Sequence, residues 1–245
     1  MPRLLRSLVL LGALAALGTL GTACGSDDPI APTDRALIRV VHTSPDGPAL
    51  DVLVEGVRLY QGLGFAQFYG YSSIPAGERR ITLSVTNSDV AVVDVTQAVS
   101  VNVSYSIFAI GLASDNSIQP LVLTDDRTPP GADQVKLRVL NASPGAGAVD
   151  FYITAPTVDL ATVPPTLGNV AFGANAYVPS TPAGRFRFRA TTAGTKDVIM
   201  DTGTQGGVLQ GGQVYTVVAL DRQGGGAPFQ LRLLVDSQIL SLIHI

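Results

Sequence analysis

The chain has no tryptophan, one cysteine and two histidines, and only 14% of its residues are charged. Each shortage excludes something. A lone cysteine cannot close a disulfide within the chain, so the fold rests on burial, and it cannot supply a thiolate zinc site. There is no CxxC, HExxH, nucleophile elbow, P-loop or helix-opening GxGxxG, so no recognised catalytic motif is present. Lysine and arginine number 16 against 19 acidic residues and are not clustered, which argues against nucleic acid as a partner. The acidic groups TDD (124–126) and GSDD (25–28) lack the roughly six oxygens that calcium takes and read as solvated linker. Neither metal nor cofactor is expected. Helical periodicity is lacking too: beyond residue 23 no segment keeps an apolar 3.6-residue period for three turns.

What is present begins with an export signal. Residues 1–23 carry Arg3 and Arg6, an apolar run from Leu8 to Leu20 and small residues up to Cys24, the layout of a secretory signal peptide rather than a membrane span. The segment LGTAC resembles the lipobox of bacterial lipoproteins, with Gly21 where that family usually has Leu. The resemblance implies lipidation, palmitate included, of Cys24 as the mature N-terminus, and Gly25 after it favours the outer membrane. Several acyl chains, each methylene contributing about 0.8 kcal/mol, would anchor the protein firmly. Residues 24–35 read as a flexible tether. At the other end LSLIHI (240–245) matches the read-through of a sequencing adapter. The natural chain is therefore expected to continue beyond about Ile239, and His244 is set aside.

The body of the chain is written twice. LIRVVHTSPDGPALDVLVEG (37–56) aligns without gaps on KLRVLNASPGAGAVDFYITA (136–155), a shift of 99 residues, and four further blocks follow in the same order. The blocks are rich in Val, Ile, Thr and aromatics and are bounded by Gly, Pro, Asn and Asp, so they read as strands. The expectation is all-β: two tandem antiparallel β-sandwich domains, immunoglobulin-like or transthyretin-like, over 36–126 and 135–239, with a linker at 127–134. The signatures RVVHTSPDGPALDVLVEG and RVLNASPGAGAVDFYITA, each followed by a Tyr and a Pro-Ala-Gly turn, resemble the domain of unknown function 4397. That resemblance implies an exported bacterial protein and supplies no mechanism.

Within HTSPDGPALD (42–51), a histidine, a serine and two aspartates suggest a hydrolytic site. The second copy, NASPGAGAVD, replaces His42 by Asn141 and Asp46 by Gly145, and keeps Ser44, Pro45 and Asp51 as Ser143, Pro144 and Asp150. The shared residues read as a structural turn, taken as a β-hairpin connection. Alternation then sets Arg39 opposite Asp51, and Arg138 opposite Asp150, as exposed cross-strand ion pairs worth about 0–1 kcal/mol. Tyr60, Tyr69, Tyr71, Tyr152 and Tyr177 could line a sugar-stacking face, but Tyr71 and Tyr177 read better as packing anchors with the hydroxyl at the rim. The function expected is non-enzymatic: a lipid-anchored envelope protein that binds or scaffolds, with a protein or polysaccharide partner at the cell surface. Two alternatives are a carbohydrate-binding module and a hydrolase using His42.

Overall fold

The computed structural model describes residues 34–237. The signal peptide, Cys24 and nearly all of the tether, together with the C-terminal eight residues, lie outside the described residues. Eight strands come first: β1 (Arg35–His42), β2 (Leu50–Val54), β3 (Val57–Leu63), β4 (Ser72–Pro75), β5 (Gly77–Val85), β6 (Ala91–Val99), β7 (Ser104–Ile110) and β8 (Gln119–Asp125). They form two sheets, ordered β4-β1-β7-β8 and β3-β2-β5-β6.

Ten more follow: β9 (Gln134–Asn141), β10 (Val149–Thr154), β11 (Leu167–Val170), β12 (Asn175–Tyr177), β13 (Thr181–Pro182), β14 (Gly184–Thr192), β15 (Val198–Asp201), β16 (Gly207–Leu209), β17 (Val214–Leu220) and β18 (Gln230–Val235). Their sheets are β12-β9-β17-β18, with β13 also on β9, and β11-β10-β14-β15, with β16 also on β14. Two tandem β-sandwiches result, with no α-helix among the described residues. Pairing is antiparallel except for β1 with β7 and β9 with β17, which are parallel.

Side-chain alternation explains how the layers stack. In β7, Tyr105, Ile107 and Ala109 face the core of the first sandwich, where Ile107 and Ala109 meet Leu50, Val52, Ile81 and Leu83. The other face of β7 is not solvated: Phe108 and Ile110 pack with Leu140, Val218, Leu220 and Leu234 of the second sandwich. All seven residues of β7 are therefore buried, and so are all seven of β17. A strand covered on both faces reads as a continuous buried run, as these two do. The sheets holding β7 and β17 are the inner two of four layers, and the outer sheets close each sandwich from outside.

One expectation fails here. β1 and β2 are not a hairpin: β1 pairs β4 and β7, β2 pairs β3 and β5, and the two belong to different sheets. Residues 43–49 are an arch crossing from one sheet to the other. Arg39 and Asp51 cannot be cross-strand neighbours, nor can Arg138 and Asp150, because β9 and β10 repeat the arrangement.

Candidate functional site

The arch holds the residues that suggested catalysis, and all of them have structural partners. His42 is fully buried, and its Nε2 lies 2.8 Å from the carbonyl of Pro48. In the second copy the Nδ2 of Asn141 donates to the equivalent carbonyl, of Gly147, at 2.7 Å, and to Val170 O at 3.0 Å. Histidine and asparagine thus do one job, an N–H clamp across the arch. The job requires a proton on Nε2, and burial favours the neutral ring by pushing the His42 pKa below its usual value, against the pull of the Pro48 carbonyl. The His42 Nδ1 is buried without a partner. Ser44 is also fully buried, and its Oγ reaches Asp46 Oδ1 only at 3.5 Å. Pro45 and Asp46 form the turn itself, as Pro144 and Gly145 do in the second copy. No accessible nucleophile–base pair is formed by His42 and Ser44.

A prediction follows from the clamp. His42→Asn is expected to keep the stability of the protein, since the second copy is built that way, whereas His42→Ala loses about 2 kcal/mol of burial and hydrogen bonding. With a folded-state pKa below the unfolded one, the unfolded chain takes up the proton first on acidification. Stability from this group is complete above about pH 6.5 and falls as pH drops below it. Denaturation midpoints at pH 7.5 and 5.5 check this: His42→Asn flattens the drop.

Asp46 and Gly145 differ between the copies for a reason. Asp46 accepts from the backbone N–H groups of Ala113 (2.7 Å) and Ser114 (3.0 Å) on the β7–β8 loop. Burial opposes its charge, but these donors outweigh it and hold Asp46 below the usual carboxylate range. In the second copy the carboxylate sits on the opposite side of the same contact. Asp221, at the start of the β17–β18 loop, accepts from Ser143 Oγ, from Gly145 N (3.2 Å) and from Gly226 N (2.7 Å). In the second copy a Cβ at Gly145 would stand 2.8 Å from the Asp221 carboxylate; in the first, a Cβ at Gly111, the counterpart of Asp221, would stand 2.3 Å from Ser117 O, so the loop backbone keeps that position glycine. Each copy keeps one acid and one glycine, exchanged.

Asp51 and Asp150 also share a role, though not the expected one. Both are buried. Asp51 accepts from Gly62 N (2.9 Å) and Thr86 Oγ1 (3.0 Å), and Asp150 from Asn169 N (2.6 Å) and Gly194 N (2.8 Å). The β2–β3 and β10–β11 pairings shift register at these aspartates. A bulge leaves backbone donors without ladder partners, and the carboxylates take them up.

Arg39 and Arg138 go elsewhere. Both are 1% exposed and point into the seam between the sandwiches. Arg39 Nε donates to Ser106 Oγ (2.6 Å), and Ser106 donates to Asp125 (2.6 Å). In the second copy Arg138 Nε donates to Thr216 Oγ1 (3.1 Å), and Thr216 donates to Asp236 (2.6 Å). Each half therefore presents an Arg–hydroxyl–Asp row, and the rows pair crosswise: Arg138 meets Asp125 at 2.6 Å, and Arg39 meets Asp236 at 2.8 Å. The second contact is close but off the hydrogen-bonding angle, since Arg39 Nη2 and Asp236 Oδ1 make no hydrogen bond. Burial pushes Asp236 up in pKa, opposed by Arg39 and Thr216.

Tyrosine and a third arginine close the seam. Tyr71 is 2% exposed, donates to Asp125 at 2.7 Å, and lies between the guanidinium groups of Arg39 (4.8 Å) and Arg127 (4.3 Å). Arg127 donates to the Asp236 carbonyl at 2.7 Å. Tyr177 stays at the rim, 36% exposed, and accepts from Asp126 N at 3.0 Å. The reading of TDD (124–126) as solvated linker fails at Asp125, which is buried at the end of β8, and sequence reasoning missed Asp236, although LVLTDD and LRLLVDS carry the pair.

Apart from Tyr177, the exposed aromatics among the described residues lie in the first copy. Phe68 (42%) and Tyr69 (38%) are exposed, and the Tyr69 ring stacks on Tyr60 with centroids 4.6 Å apart. Hydroxyl bonds from Tyr60 to Gly70 O (2.9 Å) and from Tyr69 to Gln61 O (3.2 Å) fix the pair. The corresponding block of the second copy has Ala174 and Asn175 instead. Tyr152 is buried beside Lys196 and is not part of any such surface. Among the described residues no three His, Cys, Asp or Glu side chains converge as metal ligands.

Residues 36–152 match the family model described as a domain of unknown function, DUF4397. No curated protein matches the sequence. Among solved structures, a streptococcal virulence factor titled for α-glucan binding is similar at 13% identity and a TM-score of 0.24, over 67% of this chain and 84% of that one. The family CBM26 module of Eubacterium rectale Amy13K, solved with maltoheptaose, is similar at 10% identity and a TM-score of 0.25, over 84% of this chain and 98% of that one.

Proposed function

We propose that this chain, whose residues 36–152 belong to the DUF4397 family, is a non-catalytic binding or scaffolding protein of the cell envelope in which both sandwiches act as one rigid body. The observation that carries the reading is the buried, crosswise seam. Paired sandwiches joined only by a linker would move independently, the default for domains with small polar interfaces. Here an apolar cluster and two fully desolvated Arg–Asp pairs fix their relation. Such a body holds its outer surfaces at set positions, which suits display and docking. The residue types that could have served hydrolysis are occupied as arch clamps. Small-angle scattering tests rigidity: one compact particle is expected, and a distribution of inter-sandwich distances would contradict it.

Envelope attachment through Cys24 belongs to the same proposal and is supported by the signal-like N-terminus and LGTAC. Metabolic labelling with a fatty-acid probe is expected to mark the wild type and to leave Cys24→Ala unmarked. Labelling that survives the substitution removes the anchor.

A carbohydrate partner is favoured by one observation, the fixed Tyr60–Tyr69 stack with Tyr69 and Phe68 exposed beside it. Aromatic faces held in place bind sugar rings with little ordering cost. Affinity electrophoresis in gels cast with α-glucan or envelope polysaccharide should retard the wild type and not Tyr69→Ala. Equal mobility of both in every gel contradicts this reading.

A further inference from the structure

Each half of the seam carries both charges. The first sandwich offers Arg39 and Asp125 bridged by Ser106, and the second offers Arg138 and Asp236 bridged by Thr216. The apolar cluster likewise divides between the halves, with Val41, Phe108 and Ile110 on one side and Leu140, Val218 and Leu220 on the other. No strand of either half crosses the seam, and the covalent connection is the short segment between Asp125 and Gln134. The linker contributes Arg127, which stacks on Tyr71 and donates to the Asp236 carbonyl, but the crossed ion pairs and the apolar cluster come from the two sandwiches themselves. The interface is also near-self-complementary, the property that lets identical chains associate.

We propose that the seam is an exchange surface between copies of this chain: the first sandwich of one copy docks on the second sandwich of another, and the reverse. The partner is a second copy because this chain itself carries both halves of the matching crosswise Arg–Asp set. In dilute solution the closed monomer prevails, since a short linker holds the halves at an effective concentration of about millimolar. Crowding of copies on a surface is the condition that lets exchange compete. The inference rests on the rigid-body reading, because both need the seam to hold.

Charge reversal in two separate full-length chains tests it. In Arg39→Glu the seam holds three acidic groups, of which only Arg138 among the crossed arginines relieves any. In Asp236→Arg three crossed guanidinium groups, with Arg127 beside them, face Asp125. Each variant alone is expected to open, with a lowered thermal midpoint and a larger radius of gyration. Mixed in equal amounts, the first half of the Arg39→Glu chain meets the second half of the Asp236→Arg chain with acids facing bases throughout. The remaining halves rebuild the native seam.

The mixture is expected to run at twice the monomer mass by light scattering, while each variant alone and a single chain carrying both substitutions run at monomer mass. A mixture that stays at monomer mass after both variants open overturns exchange and leaves the rigid body standing. Single variants that stay closed with unchanged midpoints overturn the seam and both readings with it. Should either variant fail to fold alone, the two are co-expressed. Soluble protein of doubled mass then supports exchange, and its absence, while the doubly substituted chain folds, overturns it.

Discussion

Arg138→Ala is expected to lower the stability of the protein by about 3–5 kcal/mol, the cost of leaving a buried partner charge uncompensated. Arg138 lies 2.6 Å from Asp125 and 3.8 Å from Asp236, so its loss leaves both carboxylates desolvated with Arg39 as the remaining crossed cation. For a body of this size, that corresponds to a thermal midpoint lower by about 10 °C. The loss reflects an orphaned charge and not the net worth of the pair. Replacing Arg138 by Met and Asp125 by Asn together should therefore cost less than Arg138→Ala, since a neutral Asn needs no counter-charge and its Oδ1 can still accept from Tyr71 and Ser106. Differential scanning calorimetry of the three proteins separates these cases. Equal losses for the single and double replacements would mean that Arg138 acts through packing instead.

Asp221→Ala is the second large effect expected, about 3 kcal/mol. The substitution strips the buried Ser143 Oγ and the less buried Gly145 N and Gly226 N of their acceptor; an unsatisfied buried donor costs about 1–3 kcal/mol, and the two backbone donors add less each. The first copy shows how the loss can be offset. Gly145→Asp alone is also destabilising, because its Cβ would stand 2.8 Å from the Asp221 carboxylate, like charge against like. Combining Gly145→Asp with Asp221→Gly moves the acid to the arch, as at Asp46, and is expected to recover at least half of the stability lost in Asp221→Ala. Urea denaturation measures all three, and a double variant no better than the worse single one would contradict the exchange of roles.

The duplication was legible in the sequence, and so was the all-β architecture, because strand blocks repeat in order with turn residues between them. The side-chain alternation along β1 was legible too: Ile38 and Val40 do lie on one face, and Arg39 and Val41 on the other. What covers the second face was not. Period-two alternation says that two faces differ, but it cannot tell water from a neighbouring sandwich, and a polar residue such as Arg39 invites the first reading. The Arg39–Asp51 pairing failed for a related reason. A Pro-containing turn of seven residues serves a hairpin or an arch equally well, and only the tertiary fold assigns β1 and β2 to separate sheets.

The residues singled out by comparing the copies were still the right ones to notice. Arg39, Asp51, Arg138 and Asp150 are all buried and all satisfy groups that would otherwise be costly, although in other pairings. Their true partners were within reach for Arg39 and Arg138, since Asp125 and Asp236 close matching strands. For Asp51 and Asp150 the shared partners are backbone N–H groups, of Gly62 and Asn169 at the bulges and of Gly194 in a turn, which leave no mark in side-chain identity. His42 shows the opposite case: its replacement by Asn141 looked like the loss of a function and is the retention of one, the donor to the arch carbonyl.

A double-mutant cycle between Arg39 and Asp236, run beside one between Arg39 and Asp51, tests the crosswise seam most directly. Residues sharing a buried contact couple by about 0.5–3 kcal/mol, while distant ones add within about 0.5 kcal/mol. The seam predicts strong coupling for Arg39 with Asp236 and none for Arg39 with Asp51. Coupling confined to Arg39 and Asp51 would contradict it.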